Sequence, residues 1–176
     1  MKKEPTSMWR GHNGFTLIEF LIYIAIVASL LTTLSALLYQ LMGAQVKNQS
    51  IADVEQEGEL VTQLMTQTVR NASGINSPAR GVSSSSLSIV TLASSTNPTI
   101  FDLSSGTLRI KEGSSSAVSL TTSRVTASNL LFQNYSRTST PDTVHIQFTL
   151  TRVNPEGRYE YNYSELFYGT ANRRHP

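Results

Sequence analysis

The sequence predicts an α+β protein, with one long N-terminal helix packed on a mainly antiparallel β-sheet head. Three observations lead there. Residues 15–42 form an apolar run with a single charge. Helical periodicity continues beyond that run, and no proline interrupts it until Pro78. After Gly74 the pattern changes to period-two alternation, broken by Ser, Gly and Pro clusters.

Residues 1–14 read as a short basic leader, with Lys2, Lys3 and Arg10 against Glu4. The whole chain carries 14 Lys and Arg against 12 Asp and Glu. Removing the leader leaves eleven of each, so a nucleic-acid footprint based on net charge disappears. There is no cysteine, which excludes disulfides, thiolate metal sites and cysteine nucleophiles. Export stays open, because a domain with an adequate core needs no disulfide.

Residues 15–42 have the length and composition of a membrane span, which needs about 20 apolar residues. As a helix they extend roughly 42 Å. A secretory signal peptide has an apolar region of about 7–15 residues and a small-x-small cleavage site. This run is longer, and its end at Tyr39-Gln40-Leu41-Met42 lacks such a site. A buried helix of a soluble protein needs no basic leader before so long a run. The next cation after the leader is Lys47, followed by Asp53, Glu55, Glu57 and Glu59. That Lys/Arg bias predicts a cytoplasmic N-terminus and residues 43–176 outside.

Glu19 is the anomaly. An acid near the centre of a bilayer helix costs on the order of 3 kcal/mol. Glu19 lies one turn inside the run, and no Lys or Arg follows it for 27 residues. One reading is an interfacial acid stabilised by the positive end of the helix dipole. The other is an assembly residue, whose cationic partner is an α-amino group made by cutting before Phe15.

Residues 43–74 read as an amphipathic continuation of the helix. Ile51, Val54, Gly58, Val61, Met65 and Val69 share one face, and Asn71-Ala72-Ser73-Gly74 supplies a stop. The acids Asp53, Glu55, Glu57 and Glu59 spread around the helix and read as a solvated surface. The β-rich head is predicted over 75–168. Its strands are Leu87–Leu92, Thr99–Leu103, Thr107–Lys111, Ala117–Thr121, Leu130–Tyr135, Thr143–Val153 and Arg158–Phe167. Val144, Ile146, Phe148 and Leu150 face one way; His145, Gln147, Thr149 and Thr151 face the other. Asn154-Pro155-Glu156-Gly157 reads as a turn. Tyr159, Tyr161 and Tyr163 continue the alternation into a C-terminal hairpin lying on the helix stripe. Ser83–Ser86 and Ser114–Ser116 read as flexible loops, and residues 169–176 as a flexible tail.

The hexapeptide Gly14-Phe15-Thr16-Leu17-Ile18-Glu19, in register with the leader and the apolar helix, resembles the prepilin peptidase signal of type IV pilins and type II secretion pseudopilins. The resemblance implies cleavage after Gly14 by a membrane aspartyl peptidase and N-methylation of Phe15. It also implies that Glu19 attracts the N-terminal amine of a neighbouring subunit. The abundant pilins often carry a proline about twenty residues into the mature helix, where this chain has Ser35-Ala36-Leu37-Leu38. They often close a C-terminal disulfide loop, for which this chain has no cysteine. Both departures point to a minor subunit. A looser likeness, over Gly106–Ile110, Leu120–Val125 and Leu130–Phe132, is to J-type minor pseudopilins and W-type minor pilins, whose heads have two sheets.

No enzymatic chemistry is expected. There is no phosphate loop, nucleophile motif or catalytic dyad. His12, His145 and His175 are far apart in sequence. Asp102, Asp142, Glu156, Glu160 and Glu165 offer oxygen ligands for calcium, but no Asp-rich loop groups them, so no metal or cofactor is expected. The partners implied are a prepilin peptidase/N-methyltransferase, other pilins or pseudopilins in a helical filament, and the inner membrane before assembly. A nucleic-acid partner is disfavoured, since Arg173-Arg174 is a weak signal. The alternatives are a filament-borne DNA- or surface-binding subunit, and a single-pass anchored domain that is never assembled.

Overall fold

The computed structural model describes residues 14–138 and 140–174. The cations of the leader, His12 and His175 lie outside the described residues. The chain divides into two compact units, Met1–Met42 and Gly43–Pro176. Helix α1 runs over Leu17–Arg70. The head contains strands β1 (Gly74–Ser77), β2 (Ser83–Ser84), β3 (Leu87–Val90), β4 (Thr99–Ser104) and β5 (Thr107–Glu112). They are followed by β6 (Val118–Ser119), β7 (Val125–Asn134), β8 (Thr143–Arg152) and β9 (Ser164–Asn172).

In the second unit α1 buries Ser50, Val54, Gly58, Val61, Met65 and Val69. Ser50 and Val61, Val54 and Met65, and Gly58 and Val69 are each eleven residues apart. An eleven-residue repeat corresponds to about 3.67 residues per turn, so the buried stripe stays almost in line along the helix. The expected stripe is therefore present, with Ser50 rather than Ile51 at its start.

Two antiparallel sheets cover that stripe. One has the order β1-β3-β4-β5-β6 and the other β2-β7-β8-β9. A single core joins Val54, Val61, Met65 and Val69 of the helix to Leu87, Ile89, Phe101 and Leu108 of the first sheet. The second sheet adds Phe132, Val144, Ile146, Phe148 and Leu150. Strand β9 lies on the helix: a Cβ on Gly58 would overlap the Phe167 ring, and Gly169 faces Thr62 and Thr66. The β4–β5 hairpin turns through Ser105 and Gly106, both with positive φ (50° and 76°). That is the backbone a two-residue hairpin of right-twisted strands requires.

Several elements differ from the sequence expectation. Strand β7 begins at Val125 rather than Leu130, because a bulge between Ser128 and Leu131 resets the alternation. Asn129 takes φ 53° at that bulge. Val125 and Ala127 before it, and Leu130, Phe132 and Asn134 after it, therefore all point inward. Tyr159–Tyr161 is a 3-10 turn rather than strand, and β9 starts only at Ser164. Ser83–Ser84, expected in a loop, pairs with Gln133 and Phe132 of β7.

The expected tail also changes. Residues 169–172 are strand, pairing with β8 up to Thr143↔Asn172. Arg173 Nε then donates to Asp142 Oδ2 at 3.1 Å, and Arg173 Nη1 to the Ser73 carbonyl at 2.7 Å. The Arg174 amide caps the Arg70 carbonyl at 3.0 Å, satisfying an acceptor that the helix end leaves open.

The helix acids are not a plain solvated surface. Asp53 accepts from Arg152 Nη1 at 2.7 Å and faces Arg124 Nη1 at 3.5 Å. The Glu57 carboxylate takes the Thr122 amide at 3.0 Å and its hydroxyl at 2.6 Å. These two residues fasten the head to the helix, and both contacts join residues distant in sequence.

Candidate functional site

The N-terminal junction is exposed. Gly14, Phe15 and Thr16 precede the helix without regular structure. Thr16 is the N-cap: its carbonyl accepts the first helical bond from the Phe20 amide (3.2 Å), and its Oγ1 accepts the Glu19 amide (3.3 Å). Thr16-x-x-Glu19 has the sequence of a capping box, in which the glutamate side chain reaches back to the N-cap amide. Here it does not. Glu19 Oε1 instead accepts from the Tyr23 hydroxyl, one turn ahead, at 2.9 Å.

The Phe15 ring closes over the same tyrosine. Its centroid is 5.9 Å from that of Tyr23 at 72°, an edge-on aromatic contact. Residues 15, 19 and 23 recur every four positions and so share one side of the helix start. Glu19 is half-buried among exposed neighbours. Among the described residues no Lys or Arg pairs with it. The structure places Gly14, Phe15 and Glu19, singled out in the sequence, at one helix start and sets Thr16 and Tyr23 beside Glu19. The signals for these two were the Thr-x-x-Glu spacing and a phenol four residues after the acid.

Beyond the junction the large apolar side chains as far as Met42 are 48–78% exposed. Among the described residues that surface has no partner within its unit, and α1 is long and apolar enough to cross a membrane. Two of its threonine hydroxyls are internally satisfied: Thr32 donates to the Ala28 carbonyl at 2.8 Å and Thr33 to the Ser29 carbonyl at 2.9 Å. Such back-bonding hides polar hydrogens that water does not reach inside a bilayer.

His145 Nδ1 lies 3.0 Å from Thr170 Oγ1 on the outer face of the second sheet. Among the described residues no three His, Asp or Glu side chains are grouped to hold a metal ion. On that outer face Gln133 pairs with His145, Gln147 with Tyr168 and Thr149 with Leu166. These side chains carry no Lys or Arg to receive phosphates. The Lys47 ammonium sits over the rings of Tyr159 (5.5 Å) and Tyr163 (5.7 Å) and donates to the Asn162 carbonyl at 2.7 Å. The Tyr163 hydroxyl donates to Glu165 at 3.1 Å. Burial, then the Glu165 and Glu55 carboxylates, push the Tyr163 phenol up to about 12.

Residues 9–35 match the family model of the prokaryotic N-terminal methylation motif. The motif is a type IV pilin-like prepilin signal, and the architecture that follows it is α+β and pilin-like. No curated protein and no solved structure matches the chain.

Proposed function

We propose that the chain is a minor pilin or pseudopilin, a structural subunit of a type IV pilus or a type II secretion pseudopilus. The observation that carries this reading is a methylation motif in register with an exposed apolar helix. A precursor anchored in the inner membrane, N-terminus in the cytoplasm, is cut after Gly14 and methylated on Phe15 by a prepilin peptidase/N-methyltransferase. Subunits then leave the bilayer and pack their apolar helices in a filament, so the surface exposed between Phe15 and Met42 is covered first by lipid and then by neighbours. Glu19 pairs there with the N-terminal ammonium of a neighbour, because either charge alone is costly in a water-poor core.

One feature of the head favours this reading over DNA binding. The outer face of the second sheet is uncharged at its central pairs. N-terminal mass analysis of sheared filaments tests the proposal. The expected species starts at Phe15 and carries one added methyl group, and Gly14→Lys abolishes it. An uncut chain in the membrane fraction, unaffected by Gly14→Lys and absent from filaments, would instead identify an unassembled anchored domain.

A further inference from the structure

We propose that Tyr23 is the positioning residue for Glu19: its hydroxyl holds the carboxylate in the uncut, membrane-inserted chain, before any ammonium group is available. The inference rests on the reading of Glu19 given above for what later takes the hydroxyl's place. It rests on geometry for the contact itself.

Three contacts converge on this pair. The Tyr23 hydroxyl donates to Glu19 Oε1 at 2.9 Å. The Thr16 hydroxyl fixes the Glu19 backbone from the other side, accepting its amide at 3.3 Å. The Phe15 ring packs edge-on against the Tyr23 ring, fixing the phenol's direction. The capping sequence offers Glu19 a return path to the helix start, yet its carboxylate points one turn forward.

The chemistry gives a reason. A carboxylate in hydrocarbon needs a donor, and residues 15–42 contain no Lys, Arg or His. Apart from Glu19, the titratable side chains in that stretch are Tyr23 and Tyr39, and only Tyr23 reaches the acid. A neutral hydroxyl satisfies the carboxylate without neutralising it. The negative charge stays available to an ammonium group, whose charge-assisted bond is the stronger one. Phe15, the residue whose nitrogen cleavage would free, rests on the same ring. The junction, the acid and its temporary donor are thus assembled on one side of the helix start.

The test uses the full-length uncut chain, made without the peptidase and placed in lipid nanodiscs. The Glu19 carboxyl is followed by its carbon-13 shift at one fixed pH. Tyr23→Phe keeps the ring and its contact with Phe15 but removes the donor. Loss of the hydrogen bond should move the Glu19 carboxyl resonance and remove its close contact with the oxygen-bearing ring carbon of residue 23. An unchanged resonance overturns the proposal. Glu19→Gln separates this result from the parent reading. Normal incorporation of Glu19→Gln into filaments would defeat the assembly role of Glu19, while the carboxyl resonance alone would still decide Tyr23.

Discussion

Two glycines on the same chain answer opposite demands. A Cβ on Gly14 meets nothing within 4 Å, so the fold does not require glycine there. Slower cutting of Gly14→Ala is expected to arise in the peptidase's grip on the junction, with the stability of the head unchanged. Gly58 lets the Phe167 ring lie against the helix, and that ring is stacked on buried Phe148 at 5.5 Å. Alanine favours a helix by about 1 kcal/mol over glycine. Forcing the ring off Phe148 outweighs that gain. Gly58→Ala should therefore destabilise the head by about 1–2 kcal/mol net in urea unfolding. Tyr163 gives a pH dependence of definite sign. Its phenol is raised to about 12 in the folded chain, against an ordinary value of 10.0. Below pH 10 both states hold the proton and stability is unaffected. Between 10 and 12 the unfolded chain loses its proton first, so stability falls as pH rises. Absorbance titration at alkaline pH should show one tyrosine ionising last, and Tyr163→Phe should remove that phase.

Among the elements, α1 is fastened to the head by polar contacts as well as by its buried stripe. Asp53 and Arg152 are each 14% exposed, and the Arg152 Nε already lacks a partner. Asp53→Ala leaves that guanidinium without its carboxylate. The expected loss is about 2–3 kcal/mol, below the range for a fully buried pair because some water reaches this one. Asp53→Ala combined with Arg152→Met should recover part of the loss, and a double-mutant cycle measures the coupling. Fully additive effects would show that the two residues act separately. Strand β7 explains why one stretch of the sheet was half-legible. Inward residues alternate over Val125–Ala127 and again over Leu130–Asn134, but the bulge at Asn129 shifts their parity. A strict period-two reading sees only the second half. Tyr159, Tyr161 and Tyr163 mislead in the opposite way. They alternate, but Tyr161 sits in a 3-10 turn against the Arg152 and Arg158 guanidiniums, with ring distances of 5.8 and 5.4 Å.

For the molecule as a whole, every residue of the core cluster lies at or beyond Val54. A fragment starting at Gly43 keeps that core, the Asp53 and Glu57 contacts and both sheets. It is expected to fold as a soluble monomer with one cooperative transition, whereas the full chain requires detergent or lipid. Size-exclusion chromatography and thermal circular dichroism check both statements; aggregation of the fragment would show that the head needs the apolar segment. The sequence by itself determined the α+β division, the long apolar helix and the isolated acid at Glu19. These follow from composition and short-range periodicity, which report the medium around each segment. Only the tertiary structure decided the docking of Asp53 onto Arg152 and of Glu57 onto Thr122, 99 and 65 residues away. It also decided the pairing of 169–172 and the capping of Arg70 by Arg174. The physical reason is common to these contacts: a polar side chain carries no periodic signal of its own, and its role is set by a partner that only folding brings within reach.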